Sequence, residues 1–421
     1  MESSRRWTSP SAGRPSPTAP ALRRRDASLY IVASALGGLG LGIAIFYLNF
    51  LYRAIGLDNL AIGALSAAQA LGALAGAIPA TVLARRVPRR TAILAGGVIT
   101  GAGIVGVLLF DAFGVLLLSA LFVGTGGIVV SSSGSALVAD ATIGTDRAAM
   151  FGRQTALSAL AYFIATSIAG ALAAPVSQLL GRPEASALVI RALIATGGAL
   201  AIASAVPILF VRPSPVASGT LEAPVRRRLL ARFAAIEACF GFGAGSFLPF
   251  LNLFFADRFG LSFAAIGVLL GVLAVAGSIG ALVHARYAVP RLGTLRAVVT
   301  FELASLPFAI AAALAGSPAL AVAALAVRAA LMYGAAPTFT SFQLSSFTPA
   351  ERAGASALLT ITWNAANASG ASLSGLIRAT AGPPGYTVNL VTLAGAYCVA
   401  ALLTVALFRA HEPRGDPAGA V

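Results

Sequence analysis

The sequence predicts an all-α membrane protein, with 12 transmembrane helices in two pseudo-symmetric six-helix bundles. Three observations lead there. The chain of 421 residues is 58% hydrophobic and only 10% charged, whereas an average soluble domain carries roughly 25% charged residues. About twelve apolar stretches can be counted, each near the ~20 residues that a helix needs to cross a bilayer. One layout is also written twice, about 204 residues apart: YLNFLYRAIGLDNLAIGAL from Tyr47 and FLNLFFADRFGLSFAAIGVL from Phe250. Gly56-Leu57 and Ile62-Gly63 recur as Gly260-Leu261 and Ile266-Gly267, Gly76 recurs as Gly280, Asp146-Arg147 matches Glu351-Arg352, and Gly170 matches Gly375. A duplicated bundle of membrane helices is the usual body plan of secondary transporters, whose substrate site lies near mid-membrane between the repeats.

In chain order, residues 1–27 read as a disordered cytoplasmic tail, polar, rich in Pro and Ser, and ending near Arg23-Arg24-Arg25. The segment after those arginines is a full-length span rather than the short apolar core of a cleavable signal. Spans follow at 28–52, 60–84, 91–111, 114–139, 154–175 and 187–211, making an N-terminal bundle over 28–211. A cytoplasmic linker at 212–230 separates the halves, and spans resume at 231–255, 263–285, 296–315, 319–343, 355–378 and 388–408. The C-terminal bundle thus covers 231–408, and 409–421 form a second cytoplasmic tail.

Charge sets the orientation. All 29 basic residues are arginine and the net charge is +15. With the N-terminus inside, the inner loops hold Arg85, Arg86, Arg89, Arg90, Arg147, Arg153, Arg226 to Arg228, Arg286, Arg291, Arg296 and Arg352. The other side keeps only Arg53, Arg182, Arg191, Arg258 and Arg378. That bias follows the positive-inside rule and places both termini in the cytoplasm of a bacterial-type inner membrane. Nucleic-acid binding is excluded, because the arginines lie in short loops between spans rather than on one soluble face. The two cysteines, Cys239 and Cys398, sit in apolar spans without paired spacing, so neither a disulfide nor a metal site is expected. There is no Walker phosphate loop for ATP-driven transport, and no G-x-S-x-G or H-E-x-x-H of a membrane hydrolase. With no nucleophile–base pair or metal cluster to assemble, neither an enzyme nor a cofactor is expected.

The loop between spans 2 and 3 reads LARRVPRRTAIL. It resembles the signature of the major facilitator superfamily, roughly G-x-x-x-D-R-x-G-R-R, with Arg86, Arg89 and Arg90 in matching places. Arg85 stands where the family has Asp, Pro88 where it has Gly, and Thr81 at the first Gly. The second copy, GALVHARYAVPRLG from Gly280, falls at the expected place with His284 at the acidic position. The loop from Asp140 to Arg153, ERAGASALLTITWNAANASGASLSG from Glu351 and RAALMYGAAP from Arg328 are also similar to the family, so the resemblance covers about residues 28–408. It implies alternating access by two rocking bundles and a cytoplasmic gate in which Arg86, with Arg89 and Arg90 beside it, latches to Asp140. The Gly-x-x-x-Gly-Pro-x-x-Gly-Gly run of the family's drug–proton antiporters is missing from span 5, where AYFIATSIAG keeps only Gly170. Ala120 stands near the place of the buried span 4 Arg of many proton-coupled members.

Polar groups at membrane depth are costly and therefore the best functional leads. Arg328 lies about nine residues into span 10, which by resemblance lines the central cavity. Two readings stand side by side: it binds an anionic substrate, or it forms a structural pair with Glu302 or Glu237. Glu237 is the proton-coupling candidate. Asn49 and Asn252 occupy matching places near the outer ends of spans 1 and 7, where paired amides can close an outer gate or touch substrate. Trp363, Asn364 and Asn367 form a polar-aromatic patch in span 11, suited to a polar small molecule. The Ser131-Ser132-Ser133 run with Ser135 reads as helix packing. The expected function is secondary transport of a small organic solute, efflux ahead of uptake, coupled to a proton or other ion, by a monomer among membrane lipids. The competing reading is a transporter-like sensor or assembly protein without turnover.

Overall fold

A computed structural model describes residues 18–141, 145–213, 225–348 and 351–408. The described residues form twelve long helical rods: α1 Thr18–Ala54, α2 Asn59–Arg86, α3 Arg89–Leu109, α4 Phe113–Ala141, α5 Thr145–Leu180 and α6 Ala187–Leu209, then α7 Arg227–Phe259, α8 Phe263–Leu292, α9 Thr294–Leu314, α10 Pro318–Ser345, α11 Arg352–Ala381 and α12 Gly385–Phe408. Eleven of them are long and apolar enough to cross a membrane by themselves. The exception is α11, whose Trp363, Asn364, Asn367 and run of serines and threonines lower its hydropathy. The protein is a multi-pass membrane protein.

Two helices begin earlier than their apolar runs. Helix α1 starts at Thr18, so Arg23-Arg24-Arg25, read above as the end of a tail, lie in its first turns. Helix α7 starts at Arg227, inside the expected linker. Hydropathy marks where a chain turns apolar, whereas arginine is itself a good helix former and lets the helix run on past the bilayer. The expected tails at 1–17 and 409–421 and the linker core at 214–224 lie outside the described residues.

Glycine decides how closely the helices approach. In the C-terminal half a Cβ on Gly241 would meet the Trp363 carbonyl at 2.3 Å, and one on Gly245 the Asn367 carbonyl at 2.1 Å. Only glycine permits that backbone-to-backbone contact between α7 and α11. The duplicated Gly76 and Gly280 do equivalent work, packing α2 on α4 at Thr125 and α8 on α10 at Ala330. Gly56 and Gly260 hold φ of 88° and 63° in the turns after α1 and α7, a region where L side chains are strained. The repeat therefore marks geometry as well as hydropathy.

Two breaks interrupt these helices. A 3₁₀ turn over Leu248–Phe250 interrupts α7 at Pro249, whose missing N–H cannot continue the helical ladder. A π turn over His284–Ala288 interrupts α8, where His284 Nδ1 meets Thr338 Oγ1 at 3.1 Å.

Candidate functional site

The two bundles meet along α2 against α11 and α5 against α8. A Cβ on Gly63 would lie 2.6 Å from the Gly375 Cα, and one on Gly267 3.0 Å from the Gly170 Cα. The sequence repeat equates Gly63 with Gly267 and Gly170 with Gly375, so the equivalent positions serve two symmetric interfaces rather than facing each other.

Polar contacts join the bundles at the end poor in arginine. Asn49 Nδ2 donates to Asn252 Oδ1 at 3.1 Å and to the Pro249 carbonyl at 2.7 Å. Asn252 Nδ2 returns to the Phe46 carbonyl at 2.9 Å. One turn further out, the Arg53 guanidinium grips both carboxylate oxygens of Asp257, which also accepts from the Tyr386 hydroxyl at 2.6 Å. Arg378, 1% exposed, lies with its Cζ 3.9 Å from the Phe250 ring centre and donates to Asn59 Oδ1 at 3.1 Å. Aromatic edges of Tyr47 and Phe50 pack on Phe263 across the same layer. Cation–π contact over Phe250 offsets part of the cost of burying the Arg378 charge.

Beneath this layer lies a cavity of about 430 Å³. It is lined by Asn49 and Tyr52 of α1, Ser66 and Gln69 of α2, Val123, Ile128 and Ser131 of α4, Pro249 of α7, and Trp363, Asn364 and Asn367 of α11. The structure thus brings together four of the predicted residues: Asn49, Trp363, Asn364 and Asn367. Asn252 stands directly above as the hydrogen-bond partner of Asn49. The lining carries amides, hydroxyls and aromatic rings, and no charged side chain among the described residues. Such a concave, mostly apolar space with a few convergent polar groups is the usual form of a small-molecule site.

Sequence reading did not single out Ser66 or Gln69, and it read Ser131 as packing. The signal for Gln69 was present, since an amide inside an apolar span has to find a partner or a cavity. Ser131 faces the cavity, while Ser133 of the same run is buried in the bundle.

Arg328 and Glu237 lie elsewhere, inside the C-terminal bundle. Arg328 is 4% exposed, its Cζ is 5.2 Å from the Tyr397 ring centre, and its Nε and Nη2 have no hydrogen-bond partner. No ion pair joins Arg328 to Glu302 or Glu237 among the described residues. Glu237 Oε1 instead accepts from Gln343 Nε2 of α10 at 2.8 Å, and Glu302 is buried with Oε2 unpartnered. At the arginine-rich end, Arg90 Nη1 donates to the Val211 carbonyl at 3.4 Å, tying α3 to the segment after α6. Arg86 is exposed and Arg89 half-buried. The side chain of Asp140, the expected partner of this latch, lies outside the described residues.

The sequence profile of the Major Facilitator Superfamily matches residues 30–371. No curated protein sequence matches the chain. Among solved structures, a bacterial homologue of the human lysosomal transporter Spinster, inward-facing and unoccupied, superposes with a TM-score of 0.72 at 16% identity, covering 94% of this chain and 98% of that one. A mutant of the nucleoside transporter NupG gives 0.71 at 15% identity, covering 92% and 100%. A bacterial homologue of the iron transporter ferroportin in an inward-facing state gives 0.69 at 16%, covering 91% and 98%. At these identities the likeness is one of fold.

Proposed function

This chain belongs to the Major Facilitator Superfamily, and on that premise we propose that it carries a small organic solute across the cytoplasmic membrane by alternating access. The observation that carries the reading is the cavity itself: both bundles line it, and paired residues from both bundles seal it at one end. A site bounded by two bodies opens and closes as they rock, which is the geometry of secondary transport. The arginine bias makes the sealed end periplasmic and puts both termini in the cytoplasm. The present state would then be inward-facing, as the two similar structures named inward-facing are.

Within this reading, Asn49, Trp363, Asn364 and Asn367 contact the solute, and Asn252 with Asn49 forms the outer gate. Arg86, Arg89, Arg90 and Asp140 form the opposite gate when the bundles rock the other way. Glu237, a half-buried carboxyl on a helix that also supplies Pro249 to the cavity, is the candidate for carrying a coupling proton. Efflux is the proposed direction. The protein needs no cofactor for this work and no partner beyond solute, ion and lipid, and it acts as a monomer.

The test uses purified protein with cysteines at positions 53 and 257, placed in liposomes loaded with a mixed small-molecule extract. Mass spectrometry should find solute leaving in a protein-dependent way, stopping when the cysteine pair is bridged and resuming on reduction. Movement that continues through the bridged pair would overturn the gate. Solute binding without any movement would favour the alternative, a sensor or assembly protein of the same fold.

A further inference from the structure

The polar side chains that line the cavity offer both acceptors and donors, and none of them is charged. Asn49 spends both amide hydrogens, one on the Pro249 carbonyl and one on Asn252 Oδ1. Asn364 Nδ2 donates to the Thr360 carbonyl at 2.9 Å, and Asn367 Nδ2 to the Gly241 carbonyl at 3.3 Å. Each of these asparagines faces a backbone carbonyl, which can only accept, so the bonded atom must be the NH₂ and the amide orientation is fixed. Ser66 commits its hydroxyl hydrogen to the Ile62 carbonyl at 3.1 Å, and Ser131 to the Ile128 carbonyl at 3.2 Å. What these five side chains have left is chiefly oxygen: three amide carbonyls and two hydroxyl lone-pair sets. Six hydrogens are also uncommitted: one N–H each on Asn364 and Asn367, two on the Gln69 amide, the Trp363 indole N–H and the Tyr52 hydroxyl.

We infer that this cavity is built for an uncharged, polyhydroxylated solute of about monosaccharide size. The inference rests on the transport reading above and names its substrate class. An anion would meet neutral donors interleaved with acceptor oxygens and no cation, since Arg328 is turned into the C-terminal bundle against Tyr397 and Arg53 is already held by Asp257. An ammonium would find oxygens but no counter-charge, and would lose its hydration at membrane depth without replacement. A hydroxyl group donates and accepts at once. It can give its hydrogen to the Oδ1 of Asn49, Asn364 or Asn367 while taking one from Gln69 or Trp363. The indole of Trp363 supplies a flat apolar wall for the C–H face of a ring, and Tyr52 a second. Discrimination of this kind is strong because a solute lacking the hydroxyls leaves buried oxygens unpaired.

The sequence has two tryptophans, Trp7 and Trp363, so a Trp7→Phe background leaves Trp363 as the only indole, placed in the cavity wall. Its emission is titrated in the full-length protein with three matched probes: glucose, gluconate and glucosamine at a pH where the amine is charged. The expected result is a saturable change with glucose and at least about tenfold weaker response to the two ions. Asn364→Leu and Asn367→Leu should each weaken glucose by about tenfold or more. Because those variants could disturb folding, Asn364→Asp is the second arm. It keeps the shape and adds a negative charge, and should turn the preference toward glucosamine by about tenfold. Gluconate binding as tightly as glucose, or no response to glucose, would overturn the substrate class. The bridged-cysteine experiment decides transport without reference to any chosen probe, so a wrong class and a failed transport reading are told apart.

Discussion

Gly63 and Gly375 face each other across the seam between the two bundles, so closely that a Cβ on Gly63 would fall 2.6 Å from the Gly375 Cα and 2.9 Å from the Ala371 carbonyl. Neither neighbour is a flexible side-chain tip; both belong to the rigid backbone of α11. Replacement by alanine must therefore push the helices apart at the sealed end. The strain expected for overpacking is about 1–3 kcal/mol, a shift of roughly 5- to 150-fold away from the sealed state. Gly63→Ala and its symmetric counterpart Gly267→Ala should raise the reactivity of a cysteine at position 252 toward a membrane-impermeant maleimide added from the arginine-poor side. Unchanged reactivity in both would mean that the seam tolerates the added methyl groups.

The Arg53–Asp257 pair closes the same end with a bidentate contact. The two side chains are 39% and 19% exposed, so solvent and salt screen the attraction, and a coupling of only about 1 kcal/mol is expected. Arg53→Ala and Asp257→Ala should each loosen the gate about fivefold in the maleimide assay, and the double variant should cost less than the sum. Strict additivity would show that the pair contributes nothing to closure.

Glu351 gives a pH dependence. Its carboxyl accepts from the Thr348 backbone N–H and hydroxyl, both at 2.9 Å, and from the Arg226 Nε at 3.1 Å. The Thr348 N–H first, and then Arg226, hold its pKa down at about 2, against roughly 4.3 in an unfolded chain. A depressed carboxylate stabilises the fold fully above the unfolded value and loses that contribution as pH falls toward the folded one. The melting temperature of the wild type should exceed that of Glu351→Gln above about pH 4.5, and the two curves should converge by about pH 2. A gap of constant size across that window would remove the ionised carboxylate from the explanation.

Arg328 stays out of the cavity. Its Nε and Nη2 lack hydrogen-bond partners, and a buried charge so placed is replaceable by an apolar chain of similar volume at little cost. Arg328→Met should fold, melt within a few degrees of the wild type, and bind glucose at Trp363 within about twofold. A loss of about tenfold or more in binding with normal stability would restore Arg328 to the solute site.

Much of the fold could be read along the chain. The repeat matched Gly56 with Gly260, and both glycines hold positive φ in the turns after α1 and α7. Asn49 and Asn252 were matched by position, and the structure joins them at 3.1 Å. The patch of Trp363, Asn364 and Asn367 was visible because polar groups in an apolar span stand out. Ser66 and Ser131 were not, since an isolated small polar side chain looks the same whether it packs against a helix or faces a cavity. Arg328 stood out as strongly as Asn364, yet only one of them lines the space between the bundles.

Apolar length, arginine bias and internal repetition determined by themselves that this protein is a twofold bundle of membrane helices, and they did so because hydropathy is a local property summed over about 20 residues. They also set the expectation of a break between the halves at 212–230. Which residues meet across that break was decided only in three dimensions. Gly63 pairs with Gly375 rather than with its repeat partner Gly267, and Arg53 finds Asp257 on the far bundle. Those partners follow from the order in which the helices pack and from how each is turned about its axis. Both are set by backbone contacts at glycine between segments distant in the chain, and no window of sequence contains them.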